Sequence, residues 1–179
     1  MGVSKSASFL FVLLILAVLF TISPQLQNQR SGQACSIAVY FCPEDNCSGA
    51  LIRLFERANE SIDIAVYSFT HAEIADALVR AKERGVKVRV ILESEQLTSY
   101  SQYGKLREAG IYVQLDKNEY LMHNKFAVID GKIVATGSFN YTASADKKND
   151  ENLIVVMDAG TAEKYEGEFE EMWGGIYGK

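Results

Sequence analysis

The stretch His123 to Asn140, HNKFAVIDGKIVATGSFN, restricts the fold more than any other part of the chain. Phe126 to Ile129 and Ile133 to Ala135 are short apolar runs rich in β-branched residues, and the Asp130-Gly131 pair between them is among the strongest hairpin signals. If Asp130 and Gly131 form a two-residue turn, Ile129 faces Lys132, His123 faces Ser138 and Lys125 faces Thr136. If the turn is Gly131-Lys132, His123 faces Asn140 and Lys125 faces Ser138. Side chains alternate along a strand, so either register puts His123, Lys125, Ser138 and Asn140 on one face. A three-residue turn would break that convergence. The groups gathered at the open end are an imidazole, an ammonium, a hydroxyl and an amide, a set suited to phosphate. Asp130 has odd spacing from His123 and sits in the turn, so it reads as structural, together with Gly131 and Gly137.

Periodicity and breakers order the rest of the chain. Ile37 to Phe41 reads as a strand, Ser48 to Asn59 as an amphipathic helix, Ile62 to Phe69 as a strand and Ala72 to Arg84 as a helix ended by Gly85. Val86 to Leu92 is a third strand with alternating Lys87 and Arg89. Tyr100 to Ala109 is helical, Ile111 to Leu115 a strand, and a strand at Leu153 and a helix from Thr161 to Trp173 follow the hairpin. Strand-helix alternation predicts an α/β fold with a mixed, mostly parallel sheet sandwiched by helices. The acidic tail helix, with Glu163, Glu166, Glu168, Glu170 and Glu171, reads as a solvated face.

His123-x-Lys125-x4-Asp130 followed by Gly137-Ser138-x-Asn140 resembles the HKD motif of the phospholipase D superfamily. Glu151, in the polar stretch before the strand Leu153 to Met157, stands where members of that superfamily often carry an acidic residue. The segment Ile64 to Glu93, with AVYSFT, a helix and RGVKVRVILE, is also similar to the family's region upstream of the motif. The resemblance covers roughly residues 36–175. In size the chain is similar to the compact nuclease-like branch with one motif per chain, which includes bacterial secreted endonucleases and mitochondrial-surface members.

The resemblance implies a reaction that takes two histidines, one attacking phosphorus and one protonating the leaving oxygen. This chain has His123 and one other histidine, His71, which reads as a helix-start or surface residue. A homodimer that brings two His123 side chains together is the simplest solution. The implied roles are His123 as nucleophile and acid, Lys125 and Asn140 as phosphate ligands, Ser138 as a further donor and Glu151 as orienter of an imidazole. No cofactor or metal is required by that chemistry.

At 179 residues, with 48% hydrophobic and 23% charged, the chain is one globular domain plus an appendage. Phe9 to Phe20 is unbroken apolar sequence after Lys5, in the range of a signal-peptide core and short for a membrane span. Residues 1–23 are therefore a signal peptide or a membrane anchor through residues 9–22, residues 24–35 a polar linker, and residues 36–179 the catalytic domain. Either alternative places that domain outside the cytoplasm, secreted or membrane-anchored. Cys42 and Cys47 flank a turn-like Pro-Glu-Asp-Asn segment and read as a disulfide or free thiols rather than half a zinc site, with Cys35 left over.

The leading expectation is a nuclease acting on single- or double-stranded DNA or RNA, favoured by Lys117, Lys132, Lys147 and Lys148 near the motif in sequence. A net charge of -5 argues against a broadly basic binder. The alternative is a phospholipase, favoured by the apolar N-terminus. A phosphate-binding module without turnover is disfavoured by the intact His123, Lys125, Asn140 and Glu151.

Overall fold

Three strands are covered on both faces, although Asp63, Lys87 and Arg89 break the apolar runs of two of them. They are β2 (Ser61–Val66), β3 (Lys87–Leu92) and β5 (Lys125–Ile129), each buried over nearly its whole length. The computed structural model describes residues 35–178, so the apolar segment, the N-terminal linker up to residue 34 and any cleavage site lie outside the described residues. The remaining strands are β1 (Ser36–Cys42), β4 (Tyr112–Leu115), β6 (Ile133–Gly137) and β7 (Glu151–Met157). The helices are α1 (Cys47–Arg57), α2 (Ala72–Glu83), α3 (Tyr103–Glu108), α4 (Ala143–Lys147) and α5 (Ala159–Trp173). One seven-stranded sheet results, in the order β1-β7-β6-β5-β2-β3-β4.

The mixed sheet between helices matches expectation, but the balance within it is reversed. Only β2–β3 and β3–β4 pair in parallel, and the other four pairings are antiparallel. Crossover helices α2 and α3 make the parallel part, whereas α4 is short and returns the chain as β7 antiparallel to β6. On one face α1, α2, Leu106 of α3 and Ala145 of α4 cover a large core. On the other, Phe169 and Met172 of α5 pack on Ala65, Ile91, Phe126 and Val134.

The hairpin turn differs from both predicted registers. Asp130 and Gly131 take φ of 54° and 58°, and Lys132 N donates to Ile129 O. The ladder partner of Ile129 is nevertheless Ile133, so three residues separate the paired positions. Asp130 explains why this turn is held. Its carboxylate accepts from the backbone N–H groups of Asn59, Glu60 and Ser61 at 2.8–3.2 Å, tying the turn to the start of β2. Partial burial works against the charge, but these backbone donors hold the carboxyl below its usual range.

Beneath α5, Arg89 is buried and donates to Asp63 at 2.5 and 3.0 Å, to Glu170 at 2.7 Å and to Glu166 at 3.2 Å, with its guanidinium over Phe169 and Trp173. Half-buried Glu166 and exposed Glu170 of the acidic helix thus anchor Arg89, while Glu163, Glu168 and Glu171 lie on the solvated face. A buried guanidinium is tolerable only when its donors are satisfied, and α5 supplies part of that satisfaction. The Cys42 and Cys47 sulfurs form a disulfide across a Cα separation of 5.9 Å, and Cys35 is free and exposed.

Asp130→Asn keeps one acceptor and loses the charge, so it destabilises the fold by about 1–2 kcal/mol at pH 7 in chemical denaturation. The native carboxyl is depressed, so this stability is present above the unfolded-state value and lost as pH falls through the native one. The gap between wild type and variant therefore closes in acid.

Candidate active site

Lys125 opens β5 and pairs with Val66 at the end of β2, so the residue after Val66 meets the two residues before Phe126. That residue is Tyr67, whose N–H donates to Asn124 O at 2.9 Å. Its ring meets that of His123 in a T-shaped contact, with centroids 4.5 Å apart, and its centroid lies 4.9 Å from the Lys125 ammonium. The Tyr67 hydroxyl accepts from Gln96 at 3.0 Å. Lys125 Nζ donates to His123 O at 2.7 Å and forms no ion pair among the described residues. Lys125 is buried and His123 is exposed. Burial lowers the Lys125 pKa below the ordinary lysine value, with Glu151 pulling in the opposite direction.

The second half of the site is made by a bulge. With a three-residue turn, strand alternation alone would send Ser138 after Thr136 to the α5 face, away from Lys125. Instead Ser138 N and Phe139 N both donate to Asn152 O, so two residues of one strand face one of the other. The single-face convergence drawn from a two-residue turn is therefore corrected. The bulge, rather than the turn, brings Ser138 Oγ to Glu151 at 2.5 Å. Gly137 is required here because a Cβ would lie 2.2 Å from Asn152 O. Asn152 N and Nδ2 donate to Ser138 Oγ, and Asn149 donates to the other Glu151 oxygen at 3.1 Å. The Glu151 carboxylate is thus held by Ser138 and Asn149, and among the described residues it does not bond His123 of the same chain.

Asn140 lies beyond the bulge, where Tyr141 N donates to Ser68 O. The residues next to His123 and Asn140, Asn124 and Tyr141, therefore both bond to the Tyr67–Ser68 extension of β2. The buried oxygen end of the Asn140 amide has no hydrogen-bond partner. His71 is a helix-start residue as expected, but it is buried rather than on the surface, with Nε2 3.6 Å from Asp146 on α4. It belongs to a separate cluster in which Asp146 also accepts from Ser48 N.

The flanking charges are less basic than their sequence positions imply. Lys132 sits in the turn at the opposite end of β5 and pairs with Glu60 at 3.4 Å, and Lys147 pairs with Asp146 at 2.7 Å. An open cleft of about 400 Å³ beside Glu151 is lined by Phe41, Cys42, Glu44, Asp150 and Asn152. Among the described residues no cluster of three or more His, Cys, Asp or Glu side chains is arranged to hold a metal ion. Sequence reasoning missed Tyr67 and Gln96. The available signal was an aromatic with a polar tip ending an otherwise apolar strand.

A family model described as cardiolipin synthase, PLD-like domain, matches residues 51–173. The chain belongs to the phospholipase D superfamily. The mitochondrial cardiolipin hydrolase of Xenopus tropicalis is 39% identical over 136 residues, 74% of this chain and 65% of that protein. A phospholipase D of Rickettsia felis is 42% identical over 130 residues, 72% of this chain and 65% of its own length. The chain thus spans just under two thirds of these two relatives. Nuc of Salmonella typhimurium, a phospholipase D family member of known structure, superimposes with a TM-score of 0.75 at 31% identity, covering 79% of this chain and 95% of that one.

Lys125 titrates below the ordinary lysine value of about 10.4. Glu151→Gln removes the one influence that raises it, so the titration moves to still lower pH in the variant. NMR of ¹³C-labelled lysine side chains reads both; an ordinary titration, or an upward move in the variant, contradicts the burial argument.

Proposed function

We propose that this chain is a metal-independent phosphodiester hydrolase that acts on nucleic acid through a phosphohistidine, in an active site shared by two copies. The observation that carries this reading is the buried, ion-pair-free Lys125 ammonium beside an exposed His123. A desolvated cation without a carboxylate favours an incoming anion, and an exposed imidazole beside it is free to attack.

His123 of one copy forms a bond to phosphorus through a ring nitrogen lone pair as the ester P–O bond breaks. His123 of the other copy gives its proton to the leaving oxygen. That second histidine then takes a proton from water, which attacks phosphorus and releases the first histidine. Lys125 and the amide N–H of Asn140 donate to the non-bridging oxygens, where charge grows in the transition state. Glu151, positioned by Ser138 and Asn149, accepts from an imidazole of the partner copy. Tyr67 keeps His123 and Lys125 at their spacing.

Substrate class rests on the rim. Tyr100 and Tyr120 are 78% and 80% exposed on loops that reach the site through Gln96 and Met122, where bases can stack. The exposed Leu97 and Leu121 favour a second reading, a membrane phospholipid.

Activity survives a chelator, and His123→Asn lowers kcat by about 100-fold or more against the preferred substrate. Single- and double-stranded nucleic acids and phospholipid vesicles assayed side by side decide between the two classes. Equal activity in wild type and variant overturns the mechanism.

A further inference from the structure

Among the described residues no hydrogen bond reaches the His123 ring, so the imidazole is placed by its neighbours in the chain and by Tyr67. Three hydrogen bonds to the main chain surround it. His123 O accepts from Lys125 Nζ, Asn124 O accepts from Tyr67 N, and Met122 N donates to Glu93 Oε2 at 2.8 Å. Glu93 lies outside the motif, one residue past the end of β3, and is 1% exposed. A carboxylate so buried is costly unless its oxygens are satisfied. Oε1 accepts from Glu95 N at 3.0 Å and from the Ser94 hydroxyl at 3.3 Å, which caps the short helical turn Ser94–Gln96.

Gln96 on that turn donates to the Tyr67 hydroxyl, and the Tyr67 ring meets the imidazole. Both oxygens of one carboxylate thus lead to His123, one through Met122 and the other through Gln96 and Tyr67. The buried carboxylates of Asp63 and Asp146 pair with cations, but among the described residues Glu93 pairs with none. Its position calls for an acceptor at each oxygen, which a carboxylate provides and an amide does not. We propose that Glu93 is a positioning residue for the reaction, its buried carboxylate fixing where the His123 imidazole stands. This rests on the reading of His123 as the group that attacks phosphorus. A displaced nucleophile slows the chemical step, whereas Lys125, held in the β5 ladder, keeps its place and with it the binding of phosphate. Asp116 is the matched comparison. It is also buried and accepts two backbone N–H groups, from Ser94 at 2.8 Å and Asn118 at 3.0 Å, neither of them next to His123.

The test uses the full chain in mild detergent as wild type, Glu93→Gln, Asp116→Asn and Gln96→Ala, with circular dichroism and thermal melting as checks on the fold. Histidine-selective ¹⁵N NMR reads the His123 imidazole with His71 as internal reference, and bis-p-nitrophenyl phosphate serves as the substrate for kinetics. Glu93→Gln is expected to shift the His123 signals, leave those of His71 in place and lower kcat by about 10-fold to 100-fold with KM within about 2-fold. Asp116→Asn is expected to melt at a similarly lowered temperature with unshifted His123 signals and kcat within about 3-fold of wild type. Unshifted His123 signals in Glu93→Gln, a loss confined to KM, or the same fall of kcat in Asp116→Asn overturns the proposal and reduces Glu93 to a support of the fold. Gln96→Ala, at a half-buried residue, decides even where Glu93→Gln does not fold. Shifted His123 signals with a lowered kcat in that variant support the proposal, and unchanged ones overturn it. A wild type inactive on every phosphodiester tested overturns the proposed reaction instead, and the imidazole signals then decide the placement alone.

Discussion

The carboxylate of Asp130 fastens the hairpin turn to the chain entering β2, and the register that places Lys125 and His123 starts from that clamp. Three backbone donors on one carboxylate fix where β5 ends its run, beside the start of β2. From there the ladder carries the register to Val66 and Lys125, and so to Tyr67 and His123. The aspartate of the motif therefore acts at the end of the strand remote from the chemistry. A slip of one residue would turn Lys125 to the other face of the sheet.

At the site end the fold does two opposing things. It buries an ammonium, which disfavours its charge, and it leaves an imidazole exposed two residues away. Tyr67 reconciles them, with its ring face toward the cation, a T-shaped contact to the imidazole and its hydroxyl held by Gln96. Across the site, the bulge at Ser138 sets Glu151 in place through a hydroxyl and an amide. Both halves stand at strand ends, so they inherit the rigidity of the sheet.

The hairpin, its strands and its polar end were legible because the apolar runs and the Asp-Gly pair are local signals. The length of the turn was not, since Lys132 suits a turn and a strand equally. The bulge was hidden because it depends on the Asn152 carbonyl, supplied by β7. Arg89 looked like one of two alternating cations on a strand, and its clamp by Asp63, Glu166 and Glu170 joins three distant segments. The same distance concealed the pairing of His71 with Asp146. The antiparallel bias of the sheet was missed because β1, from the start of the domain, pairs with β7 near its end. Lys132 and Lys147 were adjacent to the motif in sequence yet spend their charge on Glu60 and Asp146.

Within one chain the structure presents one exposed histidine, one desolvated lysine and one carboxylate already held by its neighbours. That inventory is half of a two-histidine reaction, and the central claim is that two chains complete it. The direct measurement is acid-quench trapping of the covalent intermediate with a ³²P-labelled phosphodiester, followed by peptide mapping. The account predicts phosphohistidine on His123 alone, at one label for every two chains. Label on any other residue, or one on every chain, would contradict it.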